Sequence, residues 1–325
     1  MKRKISLLMI ATLLMVSIVG CGASTTKKEE VTTKVAALKG PTAMGMVKMI
    51  DDEESNTENE YEFTIAGSPD ELTPKIVNGE IDIAAIPSNL SSILYNKTNG
   101  EVVSLGINTL GVLYIVENGE NINSIQDLKG KTLYASGKGA TPEYALNYIL
   151  KANGIDPEKD LTIEYKSEHT ECLAAISAEA GAIAMLPQPF VTTAITKNPQ
   201  IRIALDLNEE WEKSTNDSSL VTGVIVARKE FVEKYPEKVS NFLEEYEKSV
   251  EFTNTNIDSA AELIEANDIV TAEVAKKAIP YCNITFISGE EMKEKLEGYL
   301  NTLLEQNPES IGGAMPSEDF YYSKK

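Results

Sequence analysis

Histidine is nearly missing from this 325-residue chain, with His169 the only one, and cysteine is confined to three positions. One imidazole and three thiols leave no room for a recognised zinc spacing or a redox pair, and no metal site is expected. Arginine is almost as scarce: Arg3, Arg202 and Arg228 are all there is. Planar bidentate clamps on oxyanions use arginine, so an arginine-built anion site is not expected. Basic surface is lacking too. With 30 Lys+Arg against 50 Asp+Glu the net charge is −20, which excludes nucleic acid as a partner, because phosphate binding needs clustered cations. What is present is a 42% hydrophobic share, enough for packed cores, in a chain long enough for two lobes.

The first twenty-one residues form a recognisable leader. Lys2, Arg3 and Lys4 are followed by the almost wholly apolar run Ile5 to Val19, which is short for a bilayer span and suits a secretory signal. The run ends in Ile18-Val19-Gly20-Cys21, which matches a bacterial lipobox. Residues 1–20 are therefore expected to be a cleaved lipoprotein signal peptide, with Cys21 carrying the lipid (diacylglycerol on sulfur, a further acyl chain such as palmitate on the amine). Residues 21–34, rich in Ser, Thr, Lys and Glu, read as a flexible tether to the extracytoplasmic face of the cell membrane. Export permits disulfides, and Cys172 and Cys282 remain; their apolar neighbours favour two buried free thiols, with a single disulfide as the alternative.

Beyond the tether, strand-like and helix-like runs alternate. Strands are predicted at Lys34–Lys39, Glu62–Ala66, Ile81–Ile86, Val102–Asn108, Val112–Glu117, Thr132–Ser136, Thr162–Lys166, Ala182–Leu186, Arg202–Asp206 and Val221–Ala227. Ser68-Pro69-Asp70-Glu71 is a capping box with proline at the first helical position, and Thr141-Pro142-Glu143 reads as a second helix start with Thr141 as its cap. Long helices are predicted over Lys234–Asn256 and Glu290–Gln306. Asp51–Glu60, six acids in ten residues, reads as an exposed loop and lacks the glycine and alternating ligands of a calcium loop. The alternation implies an α/β fold, with sheets flanked by helices.

No catalytic pattern accompanies it. His169, in Ser167-Glu168-His169-Thr170-Glu171, reads as a polar helix start with no nucleophile elbow nearby, and is expected to be structural or exposed and outside any site. Ser136-Gly137-Lys138-Gly139-Ala140-Thr141 lacks the spacing of a phosphate loop. No catalytic residue and no cofactor are expected. Four strand-to-helix turns remain, and ligands of α/β sheets bind outside the carboxyl ends of strands. They contribute Thr42, Ala43 and Met44; Ser88 and Asn89; Lys138, Gly139, Ala140, Thr141 and Tyr144; and Gln188. Each turn alone is equally an ordinary helix cap, but together they could face one cleft. Met44, Tyr144 and Phe190 could sandwich a flat ring, which favours a small aromatic or heterocyclic ligand over a sulfonate or carboxylate; core packing is their alternative.

The order of Gly40-Pro41-Thr42, Asn78-Gly79-Glu80-Ile81-Asp82-Ile83-Ala84 with Pro87-Ser88-Asn89, Asp127-Leu128-Lys129-Gly130-Lys131-Thr132-Leu133 and Lys234-Tyr235-Pro236-Glu237-Lys238-Val239 resembles that of a known family. It is similar to the substrate-binding lipoproteins of bacterial ABC importers, in the nitrate/sulfonate/taurine and thiamine-pyrimidine-precursor group. The resemblance implies a two-lobed periplasmic-binding-protein type II fold with two hinge crossings. Lobe one would comprise residues 35–112 plus 223–325, and lobe two residues 113–222. It also implies a small-molecule ligand, an ABC permease and its ATPase as partners, and delivery of the solute by hinge closure. A secreted enzyme on the same fold, resembling pyrimidine-precursor synthases, and a ligand-sensing subunit of a receptor are the alternatives.

Overall fold

Thr33–Leu38 (β1) carries small apolar residues on both faces, the pattern of a strand covered on two sides. In the computed structural model, which describes residues 31–56, 60–215 and 218–323, it lies inside a six-stranded sheet. It pairs in parallel with β2 (Tyr61–Ala66) and β3 (Ile83–Pro87). Beyond β3 come β10 (Gly223–Arg228), β4 (Val102–Thr109) and β11 (Ile284–Ile287), giving the order β11-β4-β10-β3-β1-β2. The second sheet has the order β7-β6-β8-β5-β9, built from β5 (Leu113–Glu117), β6 (Thr132–Ala135), β7 (Thr162–Tyr165), β8 (Ile183–Pro187) and β9 (Arg202–Asp206).

The chain leaves the first sheet at Thr109 and re-enters at Gly223. Each crossing feeds an antiparallel strand into the middle of the sheet it enters: β5 lies between β8 and β9, and β10 between β3 and β4. Helices cover both sheets: α1 (Pro41–Met44), α2 (Val47–Glu54), α3 (Pro69–Val77), α4 (Ser88–Lys97), α5 (Thr141–Ala152), α6 (His169–Ala178), α7 (Phe190–Lys197), α8 (Leu207–Ser214), α9 (Lys229–Lys234), α10 (Pro236–Thr255), α11 (Ile257–Ala266), α12 (Ala272–Ala278) and α13 (Gly289–Gln306). At α3 the capping box forms, with the Glu71 carboxylate accepting from the Ser68 N–H at 3.0 Å. An apolar seam joins the two halves. Trp211 of α8 is fully buried between Tyr148 of α5 at 4.9 Å and Tyr299 of α13 at 5.4 Å, and its indole N–H donates to the Ser218 carbonyl.

The mixed α/β architecture and all ten predicted strands are present, but three local expectations change. Asp51 to Glu54 are not loop: they complete α2, where Lys48 bridges to Asp51 and Asp52 one turn on. Residues 57–59 lie outside the described set. Thr141 is the first residue of α5 rather than its cap, Ala140 being the extended residue before it. Strand β11 was not anticipated, its four residues following the turn at Asn283. Cys172 and Cys282 are both buried and free.

Both arginines beyond the leader are committed to ion pairs: Arg228 to Asp82 at 2.7 Å, and Arg202 to Glu117 at 3.0 Å. Glu117, at the end of β5, is 1% exposed and also accepts from the N–H groups of Asn121 and Ile122. Burial pushes its carboxyl up, but these N–H groups and the guanidinium outweigh burial and hold it below the ordinary value. Because the folded value is depressed, the carboxylate stabilises fully above the ordinary Glu value of 4.5 and loses that effect as pH falls through the folded value. Arg202→Met should therefore lower stability by about 2 kcal/mol at pH 7, less than for a fully sealed pair because Arg202 is partly exposed. Urea unfolding should show the deficit shrinking below pH 4.5; a pH-independent deficit would assign it to lost packing instead.

Candidate functional site

A cavity of about 140 Å³ opens between the carboxyl ends of strands from both sheets. Its walls come from all four of the strand-to-helix turns together with the two crossings: Lys39 to Thr42, Pro87, Thr109, Val112, Leu113, Thr141, Pro142, Pro187, Gln188, Phe190 and Thr222, with His169. The residues within those turns are sorted differently from the sequence expectation. Thr42 lines the cavity, its hydroxyl donating to the Leu38 carbonyl at 2.7 Å. Ala43 and Met44, the next two residues of α1, turn into the core, and the Met44 sulfur lies 3.9 Å from Cys282 Sγ. They are not wall residues. Gly40, with φ of 121°, makes the sharp reversal from β1 into α1 in a backbone region closed to other residues.

Ser88 and Asn89 are also displaced, sitting behind the cavity in the first turn of α4. Ser88 donates to the Val221 carbonyl. The Asn89 amide donates to the Ser310 carbonyl at 3.1 Å, and its oxygen accepts from the Thr141 hydroxyl at 3.1 Å. Both side chains are buried and serve to hold Thr141, which does line the cavity. Of the turn before α5, only Thr141 and Pro142 reach the wall. Lys138 points into an outer groove, 5.7 Å from the Tyr165 ring. The Gly139 N–H donates to Glu143 at 2.6 Å, so that nitrogen is taken, and Ala140 is outside the lining. Tyr144, one turn into α5, packs on the apolar seam, where burial pushes its phenol up. Of the three residues proposed to sandwich a ring, only Phe190 faces the cavity.

Gln188 is well placed. Its Oε1 accepts from the Thr192 N–H at 3.2 Å and hydroxyl at 2.8 Å. The Thr192 N–H requires an acceptor, which fixes the amide and leaves the Gln188 NH₂ group as a donor on the wall. Among the described residues, the N–H groups of Thr42, Thr141 and Phe190 have no acceptor, and Lys39 has no ion-pair partner. No Asp or Glu contributes to the wall. The apolar part is formed by Val112, Leu113, Phe190 and prolines from all four turns.

His169 was expected outside the site and is instead part of it. It opens α6, and its Nδ1 lies 2.5 Å from the Ser136 hydroxyl, with its ring 5.0 Å from Phe190. Burial pushes the imidazole down to about 4, so it is uncharged at neutral pH. The segment Lys166–Glu168, between β7 and α6, is a fifth strand-to-helix turn of the same kind as the other four, which is the signal that identifies it. Lys39 precedes the glycine of its turn, and Thr109 and Thr222 flank the crossings, so neither pattern marks them as turn residues. No group of three or more His, Cys, Asp or Glu among the described residues is arranged to hold a metal ion.

Known proteins give this geometry its context. Among curated proteins none matches the sequence. An ABC transporter protein from Parabacteroides distasonis is 24% identical, with a TM-score of 0.76 over 90% of this chain and 99% of that one. The periplasmic aliphatic sulphonate binding protein SsuA from Escherichia coli is 15% identical, with a TM-score of 0.72 over 90% of this chain and 92% of its own. The periplasmic nitrate-binding protein NrtA from Synechocystis PCC 6803 is 13% identical, with a TM-score of 0.62 over 85% of this chain and 81% of its own. These likenesses establish the type II periplasmic-binding-protein fold. The sequence profile for the periplasmic substrate-binding protein of phosphonate ABC transporters matches residues 43–278, most of the chain. The chain therefore belongs to that family, the substrate-binding components of ABC import systems for small solutes.

Proposed function

We propose that the inter-sheet cavity holds the transported solute, a small organic oxyanion of the phosphonate or sulfonate class, and that it does so without turnover. One observation carries the choice: in a chain with 50 acidic residues, the cavity lining contains none, while it includes Lys39, Gln188 and three residues whose N–H groups have no acceptor among the described residues. A carboxylate in the wall would repel an anion at short range, whereas fixed donors need no reorganisation to bind one. The organic part would rest on Phe190, Val112 and Leu113. The Phe190 and His169 rings, 5.0 Å apart, support a second reading, a small heterocycle lying against them.

Residues 35–112 with 223–325, and 113–222, are proposed as the two lobes, which close over the ligand by bending at the crossings before delivery to the ABC permease and its ATPase. A ligand that touches both lobes favours the closed state, so X-ray scattering should give a smaller radius of gyration with methylphosphonate than without. Gln188→Leu removes a donor without adding bulk and should weaken methylphosphonate binding by roughly tenfold, measured by calorimetry. Unchanged affinity would place the anion away from this wall. Anchoring at the outer face of the membrane through lipidated Cys21 is part of the same proposal, although Cys21 lies outside the described residues. No helix among the described residues is long and apolar enough to span a bilayer, and acylation of Cys21 supplies the attachment. Cys21→Ser should release the protein or leave an unprocessed precursor in fractionated cells; processed, membrane-bound protein in that variant would refute the anchor.

A further inference from the structure

We infer that the Tyr299 hydroxyl works against closure: sealed between the two halves without an acceptor, it holds the closed state at a disadvantage and sets how readily the protein lets its solute go. This rests on the reading of the halves as lobes that close over the solute. Tyr299 lies on α13 and is fully buried, with its ring 5.4 Å from that of Trp211 on α8. Its hydroxyl is closed off from the surface and has no hydrogen-bond partner among the described residues. The hydroxyls that face it are those of Thr141 and Ser88, one from each half. Burial pushes the phenol up, and these two neighbours pull it back only in part.

Both neighbours are tied down elsewhere. Ser88 donates to the Val221 carbonyl, and Thr141 donates to the Asn89 oxygen at 3.1 Å. The Asn89 amide is in turn fixed by its own bond to the Ser310 carbonyl at 3.1 Å. Their protons are committed and their positions set, so neither swings round to take the phenol O–H. Phenylalanine would fill the same space beside Trp211, so packing accounts for the ring and not for its oxygen. A buried donor left without a partner destabilises the state that buries it. Trp211 and Thr141 belong to one half and Tyr299 to the other, so parting the halves lets water reach the O–H. The penalty therefore falls on the closed state alone. Contacts to a solute exceed it when the cavity is filled, and the empty protein reopens.

The test uses the full chain in detergent and a variant, Tyr299→Phe, that removes the oxygen and keeps the ring. The variant should bind methylphosphonate roughly 5- to 30-fold more tightly in calorimetry, with the gain appearing as slower dissociation. Trp211 is the only tryptophan of the chain, so quenching of its fluorescence by acrylamide reports the seam without any ligand. The empty variant should be quenched less than the empty wild type. Methylphosphonate affinity that is equal or weaker would show that the hydroxyl is satisfied in the closed state, and would overturn the inference while leaving the cavity in place. A variant that unfolds at lower urea, or fails to fold, would do the same, because it would mean that a made hydrogen bond had been lost. If wild type binds none of methylphosphonate, methanesulfonate and inorganic phosphate, the oxyanion reading fails by itself. The role of Tyr299 is then decided by quenching, reduced quenching supporting it and equal quenching removing it.

Discussion

Thr222 ties the two crossings between the sheets to each other, and most of the cavity follows from that tie. Its N–H donates to the Thr109 carbonyl at 3.1 Å and its hydroxyl to the Leu110 carbonyl. The outgoing and returning strands are thus fastened where one sheet hands over to the other. Gly111 lies in the same place because any side chain there would overlap Asn208. Asn283 adds a donor to the Gly111 carbonyl. With both crossings pinned, β5 and β10 enter their sheets at fixed points, and the carboxyl ends of β1, β3 and β8 come to face one another. The cavity is the space left when two α/β layers are joined at this narrow waist.

Around that waist the halves meet through two unlike contacts. The seam of Trp211, Tyr148 and Tyr299 is apolar and non-directional, so it tolerates small rotations. The contact of Thr141 with Asn89, flanked by Ser88, is a directional hydrogen bond between buried groups, worth about 1 kcal/mol. On the proposed reading Thr141 has two neighbours to satisfy, Asn89 behind it and a solute in front. That arrangement lets occupancy of the cavity and closure of the halves act on the same residue, which is how binding energy becomes conformational preference.

The sequence was readable where one physical rule dominated. Apolar alternation located all ten expected strands because each joins a sheet, and Ser68 with Glu71 formed the capping box because both groups lie at one helix start with no distant partner to draw them away. It was less readable where two rules compete. Acidic density over Asp51–Glu54 reads as loop, yet the segment is helix, with Lys48 a turn away paired to two of its four acids. Met44 and Thr42 are two positions apart on one short helix, so only one of them can face the cavity, and burial took the sulfur. Ser88 and Asn89 have the hydroxyl and amide of ligand-binding residues but spend them on the carbonyls of Val221 and Ser310. His169 was hidden by its own rarity: a single imidazole looks incidental until the fold brings β6, α6 and α7 to the same wall.

The exclusion of carboxylates from the cavity also has a kinetic side. The chain carries a net charge of −20, so its long-range field would repel a solute of the proposed anionic class. At distances beyond about 10 Å that repulsion is screened by ordinary salt, while the contacts inside the closed cavity are not. Encounter is therefore the step that ionic strength governs and release the step it leaves alone. On the proposed reading, added salt therefore speeds capture of the solute and leaves its residence time unchanged.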